Sequence, residues 1–146
     1  MLLTEAVAIG LVLGFFCYEW TGFSPGGFVV PGYVALYWDR PVTVAVTLAL
    51  ALAVYLALEG VARVAVVYGR RRFTLAVLIG FALHAFVQWA APGAGTPIEG
   101  DAIGYIIPGL IANEMARQRV IPTACTLIGL SAAVRLILVA LGRLTP

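Results

Sequence analysis

Long apolar runs, separated by short polar or Pro/Gly-rich clusters, make up this chain. The first run predicts a helix over about residues 3–20, stopped by Thr21-Gly22-Phe23-Ser24-Pro25-Gly26-Gly27, a cluster that breaks any helix. It reads as a membrane helix and not as a secretory signal, because it opens Met-Leu-Leu-Thr-Glu without a basic region and closes on Cys17-Tyr18-Glu19-Trp20 without a small-residue cleavage site. Phe28 to Trp38 is apolar again, but it is short and has Pro31-Gly32 at its middle. Pro41 suits the first turn of a helix, where its missing N–H costs nothing. Residues 42–58 are almost purely Val, Thr, Ala and Leu, the clearest span in the chain. That helix is expected to continue with Glu59 and Arg63 paired at i, i+4 and to end at Gly69-Arg70-Arg71-Arg72. A third helix is predicted from about Phe73 to Ala91, with His84 and Gln88 on a face turned toward other helices. A Pro/Gly-rich loop over 92–100 precedes a second interrupted segment, Asp101 to Glu114, which carries Pro108-Gly109. The last span covers about Val120 to Leu141 and has Arg135 inside it.

Runs of about 20 apolar residues match a hydrocarbon core about 30 Å thick. Composition removes the soluble alternative: 62% of the 146 residues are hydrophobic and 11% charged, against roughly 45–50% and about 25% in ordinary soluble domains. One all-α integral membrane domain over 1–146 is therefore expected, multi-pass and without a separate soluble domain. All nine basic residues are arginine, and a net charge of +2 gives no reason to expect nucleic acid. Cys17 and Cys125 lie in apolar runs without metal-ligand spacing and read as small core residues, so no metal site is expected.

The chain also repeats itself. Thr4 to Leu13 lies over Thr74 to Leu83 with six identities in ten positions, and Gly27 to Ala35 lies over Gly104 to Ala112 with Gly, Pro, Gly and Ala identical. Two tandem units of helix, Pro-Gly-broken segment and helix follow, about 3–68 and 73–143. If each broken segment is re-entrant, the halves are parallel; if each crosses, every half has three crossings and the halves are inverted, three plus three. Arginine counting favours inversion, because three crossings per half put Arg117 and Arg119 on the same side as Arg70, Arg71 and Arg72 and leave Arg40 and Arg143 opposite. Both termini are then expected outside.

Interrupted segments at corresponding places in two halves point to a substrate path. Non-helical backbone at membrane depth survives only where it is buried in protein or faces a watery cavity, and half-helix ends offer free N–H and C=O groups. The alternative, that Pro31-Gly32 and Pro108-Gly109 only kink helices for packing, stays open. Arg135 is costly at its depth and calls for a structural ion pair or an anionic ligand, with Asp101, Asn113 and Glu114 as candidate partners. Gly10 and Gly14 form a GxxxG, a weak sign of close helix contact. No nucleotide loop, nucleophile elbow, HExxH or CxxC is present, and one histidine gives no catalytic triad, so no catalytic residue is assigned.

Gly22 to Leu36 resembles the first motif of the PgsC/CapC family of poly-γ-glutamate biosynthesis proteins, and Asp101 to Asn113 resembles its second. That resemblance implies a small membrane subunit of a synthetase in a bacterial or archaeal cell membrane. Its ligase partner, of the PgsB/CapB type, would hold the ATP and Mg, with a membrane-anchored PgsA/CapA-type subunit beside it. No cofactor is expected on this chain, and homo-oligomers are compatible with the resemblance. Taken with it, Gly27, Pro31, Gly32, Asp101, Gly104, Pro108, Gly109, Asn113, Glu114 and Arg135 are the candidates for contact with the anionic polymer. Arg70, Arg71, Arg72, Arg117 and Arg119 are the candidates for docking the ligase. A stand-alone inverted-repeat transporter and a purely structural anchor are the competing readings.

Overall fold

A computed structural model describes residues 1–92 and 102–143, with residues 102–104 described by backbone alone. Six helices build it: α1 Leu2–Thr21, α2 Val30–Leu36, α3 Pro41–Val64, α4 Arg70–Ala90, α5 Ala102–Gln118 and α6 Val120–Ala140. No strand occurs among the described residues. Helices α1, α3, α4 and α6 are each long and apolar enough to cross a membrane, since 20 residues at about 1.5 Å rise reach about 30 Å. Their outward faces are apolar: Val12, Phe15, Leu56, Leu78, Phe86 and Leu136 are all more than half exposed. Such a surface suits lipid and not water.

Local chemistry sets the helix ends. Gly22 closes α1 in the left-handed region (φ 73°), its N–H donating to Tyr18 O at 2.8 Å. Pro41 opens α3 as expected. Helix α4, by contrast, begins three residues earlier than the sequence suggested, so Arg70, Arg71 and Arg72 form its first turn and do not sit in a free turn. The Glu59–Arg63 pair is not formed; Glu59 faces the Tyr55 hydroxyl instead, and Arg63 makes no ion pair among the described residues. Cys17 is half-buried and Cys125 exposed, so Cys125 is not a core residue; runs apolar on every face carry no periodicity that marks the inner one.

The two Pro-Gly segments differ. The first is irregular through Gly26 (φ 78°) and Gly27 (φ 106°) and turns helical only at α2. The second is one continuous helix, α5, with Pro108 inside it, so it is not broken as the sequence suggested. Two things act together: where the first segment has Pro25-Gly26, the second has Ala102-Ile103, which let a helix start early, and packing of α5 on α4 and α3 holds that helix through the proline. Gly109 therefore sits in mid-helix and not at a half-helix N-terminus.

Side-chain neighbours fix the course of the chain. Phe28 meets Gly14, and Gly32 meets Ala6 and Val7, so residues 22–36 run back along α1. Helix α5 does the same along α4: Tyr105 meets His84, Gly109 meets Ala76 and Val77, and Asn113 and Arg117 share a cavity with Gly69 and Phe73. Helix α6 is antiparallel to α1, with Leu130 near Gly14 and Arg143 paired with Glu5. Thr21, Val64, Arg70 and Gln118 thus share one end of the bundle, and Leu2, Pro41, Ala90 and Ala140 the other. Exposed Trp20 and Tyr68 stand at the first end and Trp89 at the second, where interfacial aromatics belong.

Helix neighbours also correspond between the halves. Helix α1 packs on α2 and α6, while α4 packs on α5 and α3; α2 packs on α6, while α5 packs on α3. Exchanging the first three helices for the last three maps these contacts onto one another, although α5 also packs on α6 while α2 and α3 make no comparable contact.

Candidate functional site

At the centre of each half is a backbone-to-backbone crossing made by glycine. A Cβ on Gly10 would lie 2.8 Å from Gly32 N, and one on Gly80 would lie 3.0 Å from Gly109 N. Reciprocally, a Cβ on Gly32 would strike the carbonyl of Ala6 and come within 2.8 Å of Val7 Cα; one on Gly109 would lie 2.7 Å from Ala76 O and 2.8 Å from Val77 Cα. One turn along, Phe28 packs over Gly14, and Tyr105 packs edge-on against His84 with ring centroids 4.3 Å apart. Further out, Phe28 meets the Tyr18 ring, while the Tyr105 hydroxyl donates to Gln88 Oε1 at 2.8 Å. His84 is fully buried and neither ring nitrogen has a partner among the described residues, so its contact with Tyr105 is the interaction it makes there. Gly32 and Gly109 are therefore points of close helix approach.

Between the halves the Pro-Gly segments do meet, and the seam is apolar. Val30, Tyr33 and Val34 of α2 pack with Ile107, Ile111 and Met115 of α5, closed by Ala51 and Leu127. Pro31 is buried, Gly26 lies against Ile111, and a Cβ on Gly27 would reach Leu110 at 3.9 Å. Gly104 and Pro108 belong to α5, and Asp101 lies outside the described residues, as does the stretch 93–100 of the expected loop.

Arg135 finds a partner the sequence did not suggest. Its guanidinium makes a two-armed contact with Asp39, at 2.5 and 3.2 Å, and reaches Ala35 O at 3.5 Å. Asn113 and Glu114 cannot serve it, because they sit near the opposite end of the bundle, where Glu114 pairs with Arg117 at 3.3 Å. Asp39 was missed because it is 96 positions away in the chain and follows a segment whose course only packing fixes.

Where α4 starts and α5 ends, the residues read as docking candidates come together. Gly69, Arg70, Arg72, Phe73, Asn113 and Arg117 line a cavity of about 390 Å³. Arg71 and Arg119 are exposed beside it, Arg119 in the tight link between α5 and α6 with φ 79°. Gln118, also unforeseen, ties this end to the first Pro-Gly segment: its Oε1 accepts from Ser24 N–H at 2.9 Å, and its Nε2 donates to Ser24 O and, at 3.2 Å, to Thr123 Oγ1. Nothing in a one-dimensional pattern pairs a glutamine with a backbone 94 residues away.

Residues 9–124 match the family model for the capsule biosynthesis protein CapC, a range that takes in both Pro-Gly segments. The chain is 38% identical over 130 residues to a capsule biosynthesis protein CapC of Bacillus anthracis, covering 88% of this chain and 87% of that one. It is 35% identical over 115 residues to a PGA biosynthesis protein CapC of Bacillus subtilis (strain 168), covering 77% of each. No solved structure matches.

Proposed function

The chain belongs to the CapC family of capsule biosynthesis proteins, and from that premise we propose that it is the membrane subunit of a poly-γ-glutamate synthetase. In this reading a CapB-type ligase joins glutamates with ATP at the cytoplasmic face, a CapA-type subunit completes the complex, and the anionic product leaves across the membrane. The observation that carries it is the family match, which spans both Pro-Gly segments and 116 residues of the chain, 9 through 124.

The same proposal takes the halves as inverted repeats of three crossings each. Its support is the recurrence of the Gly10–Gly32 crossing at Gly80–Gly109, together with helix contacts that correspond when the halves are exchanged. Arg63, Arg70, Arg71, Arg72, Arg117 and Arg119 gather at one end and Arg40 and Arg143 at the other, which supports reading the first end as cytoplasmic. The ligase then docks on the face made by Arg70 to Arg72, Arg117 and Arg119. As for the polymer, a route between the two segments would have to part Val30, Tyr33 and Val34 from Ile107 and Ile111. A route between copies of the chain needs no such opening, and that favours an oligomer.

Co-expression tests the reading. Chain and ligase together should yield membrane-bound ligase and polymer, and charge reversal at Arg71 and Arg119 should release the ligase into the soluble fraction. Full polymer output in cells lacking this chain would refute it.

A further inference from the structure

Helix α4 opens on three arginines, and electrostatics disfavours them there. The free N–H groups and macrodipole of a helix N-terminus attract anions and repel cations, yet Arg70, Arg71 and Arg72 occupy the first turn with no side-chain cap. None of the three makes an ion pair among the described residues. Arg117 adds a fourth guanidinium from α5, offset by Glu114. Two polar side chains at this place also lack hydrogen-bond partners among the described residues. Asn113, a residue only 8% exposed, lines the cavity with no side-chain hydrogen bond there, and Arg72 Nε has no acceptor there. A cavity of about 390 Å³ lined by Arg70, Arg72, Arg117 and Asn113 gathers N–H donors and positive charge suited to an anion with several acceptor oxygens. Glu59 lines the adjoining cavity with Arg72 but makes no ion pair with it.

We propose that this cavity holds the phosphodiester headgroup of an anionic phospholipid. Its position favours lipid over a soluble anion. The cavity lies at the end of the bundle marked by Trp20 and Tyr68, and its wall includes Phe73, which is 45% exposed. Phe73, Val77 and Phe81 follow at i, i+4 and i+8 down α4 along its seam with α5, where Val77 meets Gly109 and the Phe81 ring meets Tyr105, and Phe81 still stays about half exposed. A headgroup on the arginines thus leaves an acyl chain lying along that stripe, the arrangement of basic pockets at the cytoplasmic ends of membrane helices. Of the docking face, Arg71 and Arg119 are exposed and outside the cavity, so a partner can engage these two while lipid holds Arg70, Arg72 and Arg117.

The test needs only the chain by itself, purified in dodecylmaltoside, so it is independent of whether a ligase docks. Native mass spectrometry follows titration with dioleoylphosphatidylglycerol and, separately, dioleoylphosphatidylcholine. One phosphatidylglycerol per chain should be retained with at least roughly tenfold preference over phosphatidylcholine, the value of one charge-assisted contact. The double variant Arg72→Gln/Arg117→Gln should lose that preference and Asn113→Ala should weaken it, while Arg40→Gln, at the other end of the bundle, should not change it. Thermal unfolding in detergent checks that the variants remain folded; should Asn113→Ala not fold, the arginine variants decide. Equal retention of the two lipids, or full retention by the double variant, overturns the proposal. So does displacement by millimolar inorganic phosphate, which would make this a free-phosphate site, or by tri-γ-glutamate, which would make it a carboxylate site.

Discussion

Replacing Gly32 by alanine is the sharpest test of how this bundle is held together. The added methyl would fall on the Ala6 carbonyl and 2.8 Å from both Ala6 C and Val7 Cα. These are backbone atoms in mid-helix, so no rotamer change can clear them. Relief requires the segment to move off α1 by about 0.5–1 Å, which forfeits a quarter to a half of the dispersion well at each contact along the crossing. Overpacking of this kind costs about 1–3 kcal/mol, and close Cα–H···O contacts add to it. Near 2 kcal/mol, the midpoint of thermal unfolding in dodecylmaltoside should fall by about 4–8 °C for a chain of this length. Gly109→Ala, against Ala76 O at 2.7 Å, should behave alike. Gly129→Ala is the control: nothing lies within 4 Å of its added Cβ, and helix propensity makes it neutral or stabilising by up to about 1 kcal/mol. If Gly32→Ala unfolds no earlier than Gly129→Ala, the crossings are not tight and the packing argument fails. A corollary concerns larger substitutions. Leucine at Gly32 or Gly109 would separate the helices, so lost polymer output from such variants would not tell a blocked path from a damaged fold.

Three further outcomes are expected. Gln118→Ala leaves the Ser24 N–H and C=O without their partner, which should cost about 1–3 kcal/mol and speed proteolysis in the Gly22–Gly27 turn; unchanged cleavage would show that the clamp is dispensable. A double-mutant cycle on Arg135 and Asp39 should give a coupling of only about 0.2–1 kcal/mol, because Asp39 is 67% exposed, and a coupling well above that would mean the pair is shielded by something else. In intact cells expressing a variant without Cys17 and Cys125, a cysteine placed at Gly142 should react with an impermeant maleimide and one placed at Arg71 should not; the reverse pattern would invert the orientation.

Much of the architecture was legible in one dimension. Four spans could be read because bilayer burial demands about 20 apolar residues in a row whatever the neighbours are, and the internal likeness could be read because the glycines of a close crossing admit no substitute at either Gly32 or Gly109. Helix starts were legible at Pro41, where covalent geometry alone acts. Tertiary structure decided what depends on neighbours distant in sequence. It gave Arg135 to Asp39 and not to Asn113 or Glu114, since these lie at opposite ends of a bundle whose thread is set by packing. It made the second Pro-Gly segment a continuous helix, because the contacts of α5 with α4 and α3 stabilise a helix through Pro108 that propensity alone would break. And it brought Arg70, Arg72, Arg117 and Asn113 around one cavity, a grouping of charges that exists only once antiparallel helices set the start of one beside the end of the next.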